Sequence, residues 1–164
     1  MPGGEIMAVK PIPDGYHSVT PYLIIKGAGR AIDYYKKVFG ASQRMRMDGP
    51  NGTVGHAEIE IDGSAIMLAD EFPDMGFRSP QSIGGTGVSL VLYVRDVDSC
   101  FDRAVAAGAK VLRPVEDQFY GDRSGTVEDP FGHVWSIATH KEDLSPEELH
   151  KRAEAAMKQH GKSS

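Results

Sequence analysis

The sequence predicts an α+β fold made of two βαβββ modules. The predicted order of one strand, one helix and three strands occurs twice along the 164 residues. Gly40 and Gly108 end the two predicted helices, and Gly63 and Gly132 close the last hairpin turn of each copy, at nearly equal spacing. The 19 glycines and 10 prolines suit the many turns between short strands. Two such modules would form a curved, mixed eight-stranded sheet around a cleft.

The first module is defined by changes in hydrophobic periodicity. An apolar, partly β-branched run predicts a strand, and apolar residues at helical spacing follow it. Polar and apolar residues then alternate over 55–61, and Asp62-Gly63 is a strong hairpin signal. The predicted elements are a strand at 20–25, a helix at 30–39 and strands at 42–47, 55–61 and 64–69.

The second module repeats this order after a connection rich in glycine, proline and serine. Asp96 is a predicted helix N-cap, and Asp129-Pro-Phe-Gly132 is a predicted turn. The predicted elements are a strand at 88–94, a helix from 97 to 105, and strands at 110–115, 125–128 and 133–139.

These elements divide the chain into three segments. Residues 1–16 are predicted to be a flexible arm, and residues 17–140 to be the domain, with modules at about 17–70 and 87–140. Residues 141–164 are predicted to be a helical tail, because Ser145-Pro-Glu-Glu148 is a capping box. The tail has an apolar stripe that we expect to pack on the body or on a partner subunit: Leu149, Ala153, Ala156 and Met157.

Composition excludes several classes of protein. The net charge of −5 disfavours a surface that follows nucleic-acid phosphates. A single cysteine, Cys100, excludes an intrachain disulfide and a Cys-rich zinc site. No apolar run approaches the roughly 20 residues that a membrane span needs. The N-terminus also lacks the pattern of a signal peptide, so we expect a cytoplasmic protein with no nucleic-acid or membrane partner.

Three sequence motifs resemble the vicinal oxygen chelate, or glyoxalase/bleomycin-resistance/dioxygenase, superfamily. They are TPYLIIKGAGRAIDYYKKVFGA, LVLYVRDVDSCFDRAVAAGAKV and EDPFGHVWSI, within a match over about 17–140. The run FYGDRSGTVEDPFGHVWSIATHKEDLSPEEL is similar to the PhnB-like branch of that superfamily. The resemblance implies paired βαβββ modules around a ligand cleft, within a homodimer. It also implies one divalent metal, held by His or Glu on the first and last strands of each module.

In this sequence the metal positions of the superfamily carry other residue types. The motifs place these positions at Thr20, Met67, Ser89 and Ser136. Divalent zinc, nickel, iron and manganese need imidazole or carboxylate donors, which these side chains do not offer. We therefore expect no metal and no other cofactor, and metal-assisted chemistry would lose its electrophile.

Strand parity and loop position predict which residues line the cleft. Side chains two apart on a strand share a face. The aromatic residues of the loop before the last hairpin, with Arg123, would form either a lid or a dimer contact. The predicted cleft residues are Thr20, Tyr22, Met67, Ser89, Tyr93, Phe119, Tyr120 and Ser136.

His56 and Glu58 are the predicted catalytic residues. Together with Glu60 they place an imidazole and two carboxylates on one strand face, which suits acid/base chemistry or a relocated metal site. The alternative is a solvated strand face.

Two functions follow. One is a metal-free protein that binds a small molecule; the other is an enzyme of lyase, isomerase or dioxygenase type that uses His56 and Glu58 or an atypical metal site. The sequence does not decide between them, and it does not identify the ligand.

Overall fold

A computed structural model describes residues 8–161. Residues 1–7 of the predicted arm and residues 162–164 of the predicted tail lie outside the described part. The chain divides into two compact units, of which unit 1 ends at Phe77 and unit 2 begins at Arg78. Each unit contains one four-stranded mixed sheet and the βαβββ order, which confirms the predicted α+β class.

Unit 1 contains a sheet with one long helix. The strand order is β1-β4-β3-β2, in which β1 is parallel to β4 and the other pairs are antiparallel. Short 3₁₀ turns lie at Pro50–Gly52 and Pro73–Met75. The elements are β1 (Tyr22–Ile25), α1 (Ala28–Phe39), β2 (Ser42–Asp48), β3 (Val54–Ile61) and β4 (Ser64–Asp70).

The core of unit 1 lies between α1 and one face of the sheet. Leu23 and Ile25 of β1 are buried, as the predicted strand parity requires. They share the core with apolar side chains from α1 and from the other strands, among them Ile32, Tyr35, Val38, Ala57, Ile59 and Leu68. Asp70, at the end of β4, accepts hydrogen bonds from the backbone N–H groups of Gly27 and Ala28 at the start of α1, and so fixes the entry to the helix.

Unit 2 repeats this plan and adds two helices. Its strand order is β5-β8-β7-β6, with β5 parallel to β8. The elements are α2 (Pro80–Ile83), β5 (Ser89–Tyr93), α3 (Val97–Ala106), β6 (Lys110–Asp117), β7 (Asp122–Glu128), β8 (Val134–His140) and α4 (Pro146–His160). The four-residue helix α2 was not predicted, because a run this short has no helical periodicity to detect.

The core of unit 2 lies between α3 and its sheet. Phe101 of α3 and Trp135 and Ile137 of β8 are buried there. The buried Asp129 accepts hydrogen bonds from the indole N–H of Trp135 and from the backbone N–H of Phe131, so the predicted Asp-Pro-Phe-Gly turn is tied to the core.

The C-terminal helix α4 begins where the capping box predicts. The Ser145 side chain accepts a hydrogen bond from the backbone N–H of Glu148. Its apolar stripe, expected to pack on the body or on a partner subunit, is not buried within the single chain: no side chain of Pro146–His160, all of which are described, is buried, and Met157 is 75% exposed. Within residues 8–161, no helix is long and apolar enough to cross a membrane.

Two strand boundaries differ from the prediction at positions that matter for the site. Strand β7 begins at Asp122, three residues before the predicted start, because Asp122 pairs with His140 and Arg123 with Thr139. Polar residues at these positions hid the strand from a hydrophobic pattern. Strand β1 begins at Tyr22, so Thr20 lies just outside it.

Candidate functional site

In unit 1, β3 presents polar side chains on the sheet face opposite α1. Ala57, Ile59 and Ile61 are buried, whereas His56 and Glu58 alternate with them and are half-buried. The predicted alternation is therefore confirmed. A row of partly shielded polar groups on one face gives neighbouring side chains the chance to hydrogen-bond to each other.

The side chains of Tyr22, His56 and Glu58 are joined by hydrogen bonds. The Tyr22 hydroxyl lies 2.8 Å from His56 Nδ1, and His56 Nε2 lies 3.2 Å from Glu58 Oε1. The second Glu58 oxygen, Oε2, accepts a hydrogen bond from the hydroxyl of Tyr16. We call Tyr22, His56 and Glu58 the unit 1 relay.

Charge determines the direction of these hydrogen bonds. The bond from Tyr16 is the main reason why the pKa of Glu58 lies below its usual value, and the His56 contact lowers this pKa further against the effect of burial. An ionised carboxylate only accepts, so His56 Nε2 carries the proton. In the neutral imidazole, Nδ1 is then the acceptor, and the Tyr22 hydroxyl donates to it.

The third polar side chain of this face, Glu60, has a different partner. Its Oε2 lies 3.2 Å from Nε of Arg44, whose guanidinium also donates to the carbonyl of Gly15 and lies over the ring of Tyr16. Glu60 is therefore held in an ion pair beside the relay and is not part of it.

A cavity of about 250 Å³ lies in unit 1 next to Tyr22. Its wall is mostly apolar and comes from β1, β3, β4 and the segment that follows β4. The lining residues are Tyr22, Ile24, Gly49, Pro50, Thr53, Val54, Gly55, Ala69, Asp70, Glu71, Phe72, Met75 and Phe77. Of the relay residues, Tyr22 lines this cavity, whereas His56 and Glu58 are not among the residues that line it.

Unit 2 contains a larger open cavity of about 830 Å³ between its sheet and α4. Aromatic, aliphatic and hydroxyl side chains form most of the wall, and six titratable side chains, two of them tyrosines, take part. The lining residues are Val91, Tyr93, Arg113, Glu116, Gln118, Phe119, Tyr120, Asp122, Ser124, Gly125, Thr126, Ser136, Ala138, Ala153, Ala156, Met157 and His160.

Asp122 organises the polar groups at one end of this cavity. Its Oδ2 accepts a hydrogen bond of 2.8 Å from the Tyr93 hydroxyl, and its Oδ1 lies 2.7 Å from His140 Nδ1. His140 Nε2 lies 2.7 Å from Asp143. These two carboxylates, Asp122 first, raise the pKa of His140, and the bond to Asp122 is the main cause of the raised pKa of Tyr93.

The two sheets can be compared position by position through their register. Tyr22 pairs with Met67, and Met67 with Glu58; Val91 pairs with Ser136, and Ser136 with Thr126. The position before Ala57 on β3 corresponds to the position before Gly125 on β7. The unit 1 residues Tyr22, His56, Glu58 and Met67 therefore correspond to Val91, Ser124, Thr126 and Ser136 of unit 2.

The structure brings together part of the predicted cleft. In unit 2, Tyr93, Phe119, Tyr120 and Ser136 line one cavity, and in unit 1, Tyr22 joins the predicted catalytic pair. Thr20, Met67 and Ser89 are not among the described residues that line either cavity.

Arg123, considered for the lid, makes two hydrogen bonds of 2.9 Å with Asp98 of α3. It therefore anchors β7 to the helix instead of covering the cavity.

Sequence reasoning missed Asp122 and the contribution of α4 to the cavity. The parity of β7 places Asp122, Ser124 and Thr126 on one face, so an earlier start of this strand would have identified Asp122. No sequence signal locates α4 over this face. Its attachment includes a 2.7 Å ion pair between Arg152 and Glu142, which links two exposed segments.

The residues at the metal positions of the family do not fit a divalent metal. Thr20, Met67, Ser89 and Ser136 supply hydroxyls and one thioether, and the Ser136 hydroxyl is hydrogen-bonded to that of Thr126 at 3.1 Å. In the described part of the chain, no three His, Cys, Asp or Glu side chains are grouped so that they could hold a metal ion.

Comparison with known proteins agrees with the fold. The sequence model of the glyoxalase/bleomycin resistance protein/dioxygenase superfamily matches residues 16–137. The uncharacterised protein Rv0887c of Mycobacterium tuberculosis is 42% identical over 161 residues, which cover 96% of this chain and 90% of that protein.

Solved structures show the same architecture. The At5g48480 gene product of Arabidopsis thaliana superposes with a TM-score of 0.62 at 28% identity, covering 75% of this chain and 98% of that one. A PhnB protein from Bacillus cereus superposes with a TM-score of 0.60 at 21% identity, covering 75% of this chain and 99% of that one. At this identity the likeness shows a shared fold only. The chain therefore belongs to the glyoxalase/bleomycin resistance protein/dioxygenase superfamily, as its motifs predicted.

Proposed function

We propose that this protein binds a partly apolar small molecule in the cavity of unit 2, without the metal of its superfamily. The observation that carries the proposal is the lining of that cavity. Its volume of about 830 Å³ lies in the range of roughly 300–1,000 Å³ typical of small-molecule sites. Aromatic and aliphatic side chains form about half of its wall, and polar side chains that can orient a ligand form the rest.

The chemistry of the wall indicates the kind of ligand. Val91, Tyr93, Phe119 and Tyr120 are exposed, so a bound molecule would shield apolar and aromatic surface from water. The aromatic rings of Phe119 and Tyr120 meet edge to face, with their centroids 5.2 Å apart. Both side chains are exposed, so a flat ligand can stack against them.

Polar groups of the wall give such a ligand an orientation. The hydroxyls of Ser124, Thr126 and Ser136 follow one sheet face, and Asp122 is already bonded to Tyr93 and His140. Hydrogen-bonding groups on a ligand would find hydroxyls as donors and acceptors along this face.

The neutral fluorophore N-phenyl-1-naphthylamine tests the binding site. We expect one molecule to bind per chain with a rise in fluorescence, and Ser136→Phe to weaken binding about tenfold or more because the ring occupies the cavity. Met67→Phe changes the corresponding residue of unit 1 and is the matched control, which should bind the fluorophore normally. Equal binding by the wild type and Ser136→Phe would contradict the proposal.

The absence of the metal is tested by elemental analysis of protein purified without chelator. We expect well under one equivalent of zinc, nickel, iron or manganese per chain. One equivalent that Ser136→Ala removes would contradict this part of the proposal.

The protein is also proposed to be a homodimer, as the family resemblance implies. Met47, Phe72 and Phe77 of unit 1 are exposed apolar side chains, and their burial by a partner subunit would favour association. Light scattering at several concentrations should give twice the mass of the chain, and a monomer throughout would contradict it. The cytoplasmic location and the absence of nucleic-acid and membrane partners stay predictions from the sequence.

Acid/base catalysis is a second candidate function, which the hydrogen bonds of the unit 1 relay favour. The predicted pair, His56 and Glu58, is in contact and leads to the hydroxyl of Tyr22.

A further inference from the structure

We propose that unit 1 is a general acid/base site in which the Tyr22 hydroxyl exchanges a proton with a compact, mostly apolar molecule bound in the 250 Å³ cavity. This inference rests on the second candidate function, to which it adds the proton-transferring group and the kind of substrate, and it is independent of the binding function proposed for unit 2. His56 and Glu58 are positioning residues, since they act through Tyr22. Three observations lead to this assignment: the order of the hydrogen bonds, the position of Tyr22 and the contrast with unit 2.

The order of the hydrogen bonds makes Tyr22 the end of a proton path. Glu58 fixes the proton of the imidazole on Nε2, so Nδ1 accepts the hydrogen bond from the Tyr22 hydroxyl. A hydroxyl, an imidazole and a carboxylate in this order form the arrangement that activates hydroxyl groups in enzymes. In this protein the hydroxyl of that arrangement is the phenol of Tyr22.

The position of Tyr22 places this path beside a cavity. Tyr22 is 47% exposed and lines the 250 Å³ cavity, whereas the His56 and Glu58 side chains are 22% and 14% exposed and do not line it. A molecule in the cavity would therefore meet the phenol first. Apolar neighbours such as Ile24, Phe72 and Phe77 limit the water that competes for the proton.

The corresponding positions of unit 2 carry no such path. Val91, Ser124 and Thr126 replace Tyr22, His56 and Glu58 on the same backbone plan. The fold therefore does not require a phenol, an imidazole and a carboxylate at these positions.

The proton transfer balances without a cofactor. A C–H bond of the substrate breaks and its proton moves to the Tyr22 oxygen, while the Tyr22 proton moves to His56 Nδ1. After this step the charges are an imidazolium, the Glu58 carboxylate and a negative charge on the substrate, which keeps the electron pair of the C–H bond. Burial and the charge of Glu58 raise the pKa of Tyr22, which favours this coupled transfer over a free phenolate.

The test uses 5-nitrobenzisoxazole, a compact aromatic probe that needs only a base. Its C–H proton is removed, the C–H electron pair completes a nitrile as the N–O bond breaks, and the product phenolate absorbs visible light. We expect the wild type to exceed the buffer rate by about 100-fold or more. Tyr22→Phe should remove nearly all of this enhancement, because it keeps the ring and loses the hydroxyl.

The pH profile separates a positioning role from a merely structural one. In the wild type the rate should fall at acid pH, because an imidazolium has no nitrogen that can accept the Tyr22 proton. His56→Gln should abolish that acid limb together with most of the rate. His150 is a solvent-exposed histidine on α4, so His150→Gln is the matched control and should keep both rate and limb.

Nitrogen-15 NMR of the histidine side chains provides a readout independent of the probe. We expect the neutral imidazole of His56 in the wild type to carry its proton on Nε2. Glu58→Gln should weaken this preference for the Nε2 tautomer. No rate above buffer in the wild type, full activity in Tyr22→Phe, or a neutral His56 protonated on Nδ1 would each overturn the proposal.

Discussion

Equivalent strand faces of the two units carry different side chains on the same backbone plan. In unit 1, Tyr22, His56 and Glu58 are large and polar and bond to each other. In unit 2, the corresponding Val91, Ser124 and Thr126 line an open cavity of about 830 Å³. The comparison shows that side-chain size and polarity at a few repeated positions decide whether the face holds a hydrogen-bonded relay beside a small cavity or a large open cavity.

The two units differ at the central position of the strand that faces the helix. In unit 1 the central position of β3 is Ala57, which is fully buried. In unit 2 the corresponding residue is Gly125, and a Cβ there would lie 2.6 Å from the ring of Phe101 and 2.9 Å from Val115. The missing methyl group lets α3 place a phenylalanine ring on the strand.

Exchange of these two residues is the strongest test of the comparison. Gly125→Ala should destabilise the protein by about 1–3 kcal/mol, because the new methyl group overlaps a buried ring. Ala57→Gly should cost about 1 kcal/mol through the lost methyl group and the freedom of glycine in a strand. Urea unfolding measures both values. A neutral or stabilising Gly125→Ala would show that Phe101 does not depend on this glycine.

Transfer of the unit 1 side chains into unit 2 should convert a cavity into a filled face. Ser124→His combined with Thr126→Glu adds two large polar groups to the cavity wall, so binding of N-phenyl-1-naphthylamine should weaken about tenfold. The reverse exchange in unit 1, His56→Ser with Glu58→Thr, is the control and should leave fluorophore binding intact. Undiminished binding by the first variant would place the fluorophore elsewhere.

Acid should weaken unit 1 through Glu58. The pKa of Glu58 in the folded state is lower than in the unfolded chain, chiefly because of the hydrogen bond from Tyr16. Its stabilising effect is therefore present above the unfolded pKa and is lost as the pH falls through the folded pKa. Glu58→Gln should be less stable at neutral pH and should flatten the loss of stability between about pH 5 and pH 3. Urea midpoints at several pH values measure this.

A rise in pH through neutrality should lower the stability of unit 2 through His140, and this effect should be smaller than that of acid. Asp122 and then Asp143 raise the pKa of His140 in the folded state, so its stabilising effect is complete below the unfolded pKa and is lost as the pH rises through the folded pKa. His140→Gln should flatten the change in stability between about pH 6 and pH 8. The side chain is half exposed, which keeps the effect small. Parallel pH curves for wild type and variant would contradict this role.

Much of the fold was predictable because its signals are local. The alternation around Ala57, Ile59 and Ile61 identified which face of β3 is buried, and Ser145 identified the start of α4. The relay was only partly predictable. His56 and Glu58 share a strand, but their partner Tyr22 lies 34 residues from His56 in the chain and meets it through the pairing of β1 and β3 with β4.

The cavity of unit 2 was harder to predict for two physical reasons. The first residues of β7 are polar, so the start of the strand at Asp122 has no hydrophobic signal. The placement of α4 depends on exposed contacts such as Arg152 with Glu142, which leave no periodic pattern in either segment. The amphipathic spacing in α4 indicated that the helix packs against a surface of the body or of a partner subunit, but it did not indicate which surface.

Chemical-shift mapping tests the central claim that the two equivalent faces have different functions. Amide spectra of nitrogen-15-labelled protein would be recorded while N-phenyl-1-naphthylamine is added. We predict that the shifts concentrate on β5, β7, β8 and α4 of unit 2, and that the amides of Tyr22, His56 and Glu58 stay unchanged. Shifts centred on β1, β3 and β4 of unit 1, or spread evenly over both units, would contradict the account.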